Sequence, residues 1–163
     1  MSEMSERIQT DAMVGAPFTL RRYTPADEAA AIELWRRTWQ IAYPHINFNE
    51  RVDWWRQRWR EEIVPATMIT VAEAGGRMLG FITVDPSTFD IDQTVVAPEA
   101  WGLGEAAALI AEAKRISPLG LDLHVNKDNA RAIRFYEKHG FVISGEALNW
   151  RSGAAVHKMS WRP

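Results

Sequence analysis

The stretch from Asp90 to Val125 constrains the fold most. A β-like run, Asp90 to Val96, leads through Pro98 and glycines at 102 and 104 into a helical run that ends at Ile116. Ala106, Leu109, Ile110 and Ala113 recur at helical spacing and mark its apolar face. Ser117-Pro118 stops it. Leu119, Leu121, Leu123 and Val125 then alternate with Asp122 and His124, as in a half-buried strand. A helix of this length between two strands is a right-handed crossover, so the two strands are expected to be parallel.

The flanking segments complete a mixed sheet with helices on both faces. Pro17 to Tyr23 reads as a first strand. Thr24, Pro25 and Asp27 start a helix that runs to about Ile41, with Ala30, Leu34 and Trp35 on its inner face. Pro44 breaks it. A second helix, Asn49 to Glu62, is expected to end before Pro65. Thr67 to Ala74 and Met78 to Val84 are joined by Gly75-Gly76, a hairpin signature. Asp128 or Asn129 caps a helix to His139, followed by Gly140 at C′. Phe141 to Gly145 and Ala154 to Trp161 are the last strands. Residues 1–15 are polar and are expected to be a disordered tail, which leaves 16–163 as one domain.

Bulk properties narrow the class. The 163 residues are 47% hydrophobic and 25% charged, with a net charge of −2. A nucleic-acid partner is not expected, because such binding rests on phosphate neutralisation. The absence of cysteine excludes disulfides, thiolate nucleophiles and Cys-zinc sites. No signal-like apolar segment opens the chain, and no run approaches the roughly 20 apolar residues of a membrane span. The expectation is a cytoplasmic protein without a membrane or metal. Five of the eight tryptophans fall between Trp35 and Trp59.

The chemistry begins at the two glycines. A helix N-terminus presents unpaired N–H groups and a partial positive charge, so it binds anions without basic side chains. Glycines at 102 and 104 let a ligand approach the backbone, and Ala106 leaves room. On its own, a Gly-x-Gly turn is most often only a turn. A second stretch, Asn126 to Glu146, places Asn129, Ala132, Ile133 and Tyr136 on one helical face.

Together the two stretches resemble the GNAT acetyltransferase superfamily, which transfers acyl groups from acyl-CoA to amines. Its first motif is a strand ending V-x-P, then [RQ]-x-x-G-x-[GA]. Here the chain reads Val96-Ala97-Pro98, then Trp101-Gly102-Leu103-Gly104-Glu105-Ala106. Its later motif, N-x-x-A-hydrophobic-x-x-Y-x-x-x-G-F, is matched from Asn129 to Phe141. The element order fits from about Pro17 to Trp161. The resemblance implies an α/β (α+β) fold whose mostly antiparallel sheet of six to seven strands splays between strands 4 and 5.

It also implies roles. The N–H groups of Leu103, Gly104, Glu105 and Ala106, in the turn with Trp101 and Gly102, would hold the diphosphate of coenzyme A. Thr94, Val95 and Val96 would pair with the pantetheine arm, and the N–H of Val95 or Val96 would polarise the thioester oxygen. Asn129 would bond that arm, beside Ala132. Tyr136 would protonate the leaving thiolate. A neutral amine must attack, so a base or water relay takes its proton. Asp90 and Asp92 point the same way; Asp92, nearer the splay, is the first choice, Asp90 matches a catalytic acid of some family members, and His124 is a third candidate. Trp39, Tyr43, His45 and Trp54 would line the amine pocket, although i,i+4 tryptophans equally describe buried helix faces.

One departure stands out. Trp101 replaces the family's Arg or Gln, so the site is less cationic unless Arg131, Arg134 or Lys127 compensates. Glu105 is expected on the polar face, away from the ligand. The function implied is acetyl transfer from acetyl-CoA to a primary amine on a small molecule or peptide N-terminus. The alternative is a non-catalytic acyl-CoA-binding module. A Rossmann reading fails because position 107 is Ala, not Gly. A homodimer through the last strands or the Trp-rich helices is a further expectation.

Overall fold

The structure, a computed structural model, describes residues 17–149 and 152–163. The expected tail over 1–15 lies outside the described residues. Strand β1 (Thr19–Arg22) leads to α1 (Glu28–Ala42) and α2 (Val52–Arg58). Next come β2 (Met68–Ala74), β3 (Arg77–Asp85) and β4 (Asp90–Val96). Helix α3 (Glu105–Ile116) crosses to β5 (Leu121–Asn126), and α4 (Ala130–Lys138) precedes β6 (Val142–Leu148) and β7 (Ala155–Trp161). The seven strands lie in the order β1-β2-β3-β4-β5-β7-β6. Only β4 and β5 pair in parallel, as the crossover required.

Local chemistry explains most boundaries. Gly75 and Gly76 both take positive φ, +58° and +74°, so the hairpin closes in two residues. Gly140 ends α4 at φ +89°. Three expectations need correction. Ala30 is exposed, and α1 instead buries Ala31, Ile32, Leu34 and Trp35. Leu119 is 71% exposed; it sits in the turn closed by Ser117 Oγ donating to Gly120 O at 2.6 Å, before β5 begins. Pro65 does not end the second helical segment. The chain widens into a π turn, Trp59–Ile63, in which Val64 N–H donates to Trp59 O. Helical winding then carries through Pro65 to Ala66. The wider turn accommodates a residue that has no N–H and crowds the preceding turn.

The core is continuous through the sheet. On one face, Trp35 and Trp55 stack at 4.7 Å, Trp55 meets Trp59, and Trp59 meets Phe81 of β3 edge-on at 5.2 Å. Trp59 is fully buried, and its Nε1–H donates to the Tyr23 hydroxyl at 3.0 Å. On the other face α3 lies over Gly80. A Cβ there would come within 2.8 Å of Val95 O, 3.2 Å of Leu109 Cδ1 and 3.3 Å of Val96 Cγ2. Helix α4 shares this second face, where Lys114 Nζ of α3 donates to His139 O at 2.6 Å. Strand β6 is an edge on which Val142, Ile143 and Leu148 are exposed. Among the described residues no helix is long and apolar enough to cross a membrane.

The Gly80 contact yields a stability prediction. Gly80→Ala is expected to destabilise by about 2 kcal/mol, because backbone and packed methyl groups must shift to admit one carbon. A thermal unfolding midpoint equal to that of the unsubstituted protein would show that α3 and β4 yield freely.

Candidate functional site

The site is built where β4 and β5 part. Their parallel register holds only at Asp90↔Asp122 and Ile91↔Leu123. Beyond that, β4 follows β3 to Val96 while β5 follows β7 to Asn126. Ala97 N–H donates to Leu79 O of β3 at 2.7 Å. By strand alternation, Val95 also turns its amide to β3, while Thr94 and Val96 turn theirs into the cleft. Of the two amides expected to polarise an oxygen, Val96 therefore faces the cleft and Val95 belongs to the ladder.

The loop above β4 is a chain of turns. Ala100 N–H donates to Ala97 O, Trp101 N–H to Pro98 O, and Leu103 N–H to Ala100 O at 3.2 Å. The Leu103 amide is thus already engaged, and the free donors begin at Gly104, Glu105 and Ala106. Gly102 and Gly104 take φ of +77° and +106°, and a Cβ on either would meet nothing within 4 Å. The loop is pinned outside by Glu99, which accepts from Arg37 at 2.7 and 3.1 Å and from Arg77. Those arginines draw its carboxyl down to about 2. Inside, Trp101 Nε1–H donates to Val96 O at 2.8 Å. Glu105 is 2% exposed, against the expectation that it lies on the polar face, and its Oε2 has no hydrogen-bond partner among the described residues. Position 105 is one turn before Leu109, so it falls on the face that α3 presents to the sheet.

Two carboxylates stand at the fork in different environments. An extra β4 residue at Asp92/Gln93 bulges the ladder against β3, where Gln93 N–H donates to Thr83 Oγ1 at 3.0 Å. Asp92 is gripped at both oxygens by Arg58 of α2, at 2.9 and 2.5 Å, and takes a third bond from Gln93 Nε2. Asp90 accepts no side-chain hydrogen bond among the described residues. Desolvation pushes its pKa up, and the charge of Asp92 and then of Asp85 adds to that; His124 and Arg58 pull it down. His124 itself is exposed on β5.

Tyr136 approaches from the α4 side. Burial raises its phenol above the ordinary range, and its interaction with the Thr94 hydroxyl opposes the rise. Thr94 Oγ1 is shut off from solvent without a hydrogen bond of ordinary geometry. Asn129 caps α4, its Oδ1 accepting from Ala132 N–H at 3.2 Å, which orients the amide and leaves its NH₂ as a donor. Asn129 is thus a cap in fact, and the capping does not consume its donor.

Three of the aromatic candidates form one chain of contacts. Trp39 stacks on Tyr43 at 5.6 Å, and Tyr43 meets His45 at 6.3 Å. The Tyr43 hydroxyl accepts from Asn126 Nδ2 at 2.7 Å and donates to Asp128 Oδ1 at 3.4 Å. This ties the end of α1 to the end of β5, beside the cleft. Trp54 packs against Trp55. Sequence reasoning missed Arg58, Asn126 and Asp128. Arg58 meets Asp92 across 34 residues of chain, and no short spacing could reveal that pair.

The comparisons bear on the fold and the family. Residues 29–141 match the Acetyltransferase (GNAT) family. An uncharacterized N-acetyltransferase of Mycobacterium tuberculosis is 34% identical over 145 residues, covering 80% of this chain and 91% of its own. The peptidyl-lysine N-acetyltransferase YiaC of Escherichia coli is 28% identical, covering 87% of this chain and 95% of its own. The crystal structure of the PaiA N-acetyltransferase from Thermoplasma acidophilum, in complex with coenzyme A, shares the fold. It aligns with a TM-score of 0.73 at 20% identity, over 90% of this chain and 99% of that one. The chain belongs to the GNAT acetyltransferase family: it is an N-acetyltransferase that draws its acyl group from acetyl-CoA.

Proposed function

We propose that the protein acetylates a primary amine, on a small molecule or a peptide, by direct attack with Asp90 as the final proton acceptor and Tyr136 as the proton donor. The observation that carries this reading is the pair of titratable groups at the cleft. An unpaired, desolvated carboxylate comes from the α1/α2 face, and a phenol kept protonated comes from the α3/α4 face. Groups with environments this different suit opposite proton-transfer roles.

The cleft suits the donor. Thr94 and Val96 offer backbone groups to an extended amide chain, and the Asn129 NH₂ would add a donor. The Gly104, Glu105 and Ala106 amides at the α3 N-terminus would hold the diphosphate over open glycines. Acetyl-CoA supplies an acetyl group activated as a thioester. The amine nitrogen bonds to the acetyl carbon, the carbon–sulfur bond breaks, and Tyr136 gives its hydroxyl proton to the departing sulfur. Asp90 takes the ammonium proton through water, because it lies on the paired side of the fork. Asp92, although nearer, has both oxygens on Arg58, so the base role passes to Asp90. The half-buried Trp39 and Tyr43, with exposed His45, would border the acceptor's entrance. The name of the Escherichia coli relative supports an amine on a peptide. The same reading places the protein in the cytoplasm and keeps a homodimer through the β6 edge, which light scattering of the purified protein decides.

The direct test is CoA release from acetyl-CoA with a panel of primary amines, peptide N-termini and lysine peptides. Turnover by none of them would sink the proposal. Tyr136→Phe is expected to lower kcat by about 100-fold and to leave CoA affinity within about threefold of the unsubstituted protein; a collapse of affinity would mean that the phenol only packs.

Asp90→Asn is expected to lower kcat/KM by about 100-fold or more and to remove the acid limb of its pH profile. It should also stabilise the fold. A carboxyl whose folded pKa is raised costs stability above that pKa and nothing below its unfolded value, so the gain should be full at pH 8 and vanish near pH 3. Equal unfolding midpoints at pH 8 would show that the carboxylate is not under strain.

A further inference from the structure

Arg131 stands in the first turn of α4, with its guanidinium carbon 3.9 Å from the centre of the Trp101 ring. The two side chains come from opposite walls of the cleft. Trp101 belongs to the loop after β4, and Arg131 to the helix after β5. The indole is fixed at its other end by its bond to Val96 O. Arg131 is exposed and, among the described residues, forms no ion pair with a carboxylate. Its position is set by the aromatic face, not by a counter-charge.

The charge balance at the α3 N-terminus gives this stack a purpose. From Ala97 through Ala108 the chain has two glutamates and no Lys or Arg. Glu99 is matched by Arg37 and Arg77, and both arginines hold it on the outside of the loop. Glu105 is buried with an unpartnered oxygen. A helix terminus contributes only about half a unit of positive charge, which is short of what a diphosphate carries. A guanidinium can lay its plane on an indole and still offer its N–H fork to phosphate oxygens.

We propose that Arg131, seated on the Trp101 indole, is the cation that meets the diphosphate of coenzyme A, delivered across the cleft from α4. The proposal rests on acetyl-CoA being the acyl donor. The tryptophan in the loop is then a platform that aims a distant arginine, and ligand binding joins the two walls of the cleft.

The test is calorimetric titration of the full chain with CoA and with dephospho-CoA, which keeps the diphosphate and lacks the 3′-phosphate. R131Q is expected to weaken both by about tenfold, the worth of one charge-assisted contact. Its unfolding midpoint should not change, because the side chain is exposed. Adding W101R to R131Q returns a cation to the loop and is expected to recover most of the lost affinity. Unchanged or tighter CoA binding by R131Q would overturn the proposal and leave Arg131 as a packing residue. A loss confined to CoA would overturn it by assigning the arginine to the 3′-phosphate. A folded double variant as weak as R131Q would also overturn it, since charge would not be what Arg131 adds. Failure of the unsubstituted protein to bind either ligand would refute the acyl-CoA reading itself, and the proposal with it.

Discussion

The parting of β4 from β5 is the constraint on which the rest depends. Each strand is paired on its outer side, β4 with β3 to Val96 apart from one bulge and β5 with β7 to Asn126. They touch each other at only two register positions. Beyond these, the inner edges offer N–H and C=O groups that the sheet does not satisfy. Backbone groups in that condition need water or an extended ligand, and a strand-like amide chain is the ligand whose geometry matches both edges. The helices then follow from topology. Helix α3 must start at the C-terminal end of β4, and α4 at the end of β5, so an N-terminus and a capped Asn129 arrive at the same opening.

The fork also sorts the charges. Asp90 and Asp92 sit two residues apart on one strand, yet Arg58 takes both oxygens of one, while the other accepts no side-chain hydrogen bond among the described residues. The paired carboxylate is fixed in position by Arg58 and Gln93. Desolvation and the charge of Asp92 push the other carboxyl's pKa up. The β4 bulge that admits this arrangement is held by a side chain, Thr83 Oγ1, in place of a ladder bond. Tyr136 comes from α4 toward Thr94, and its burial pushes the phenol's pKa up. The two titratable groups thus come to the fork from different elements, β4 and α4.

The fold was largely legible because its signals are local. The Gly75-Gly76 hairpin, the parallel crossover through α3, the Asn129 cap and the Gly140 stop each rest on a few adjacent residues, and all appear as expected. The misreadings have local causes too. Ala30 and Ala31 are indistinguishable by hydrophobicity, so Ala30 reads as part of the inner face that Leu34 and Trp35 do occupy. A proline normally ends a helix, and only the packing of Trp59 and Ile63 against the sheet makes a widened turn worth keeping around Pro65. Leu119 continued an alternation that a side-chain-closed turn interrupts.

What the sequence by itself determined is the order of elements, the glycine-opened helix terminus and the two motifs that carry the family, because these depend on residue type and short spacing. What the tertiary structure decided is which groups meet. It turned Val96 and not Val95 into the cleft, gave Arg58 to Asp92, buried Glu105, and laid Arg131 on Trp101. Each of these contacts joins segments through the sheet's topology or depends on side-chain burial. Neither leaves a periodic trace in a chain read residue by residue.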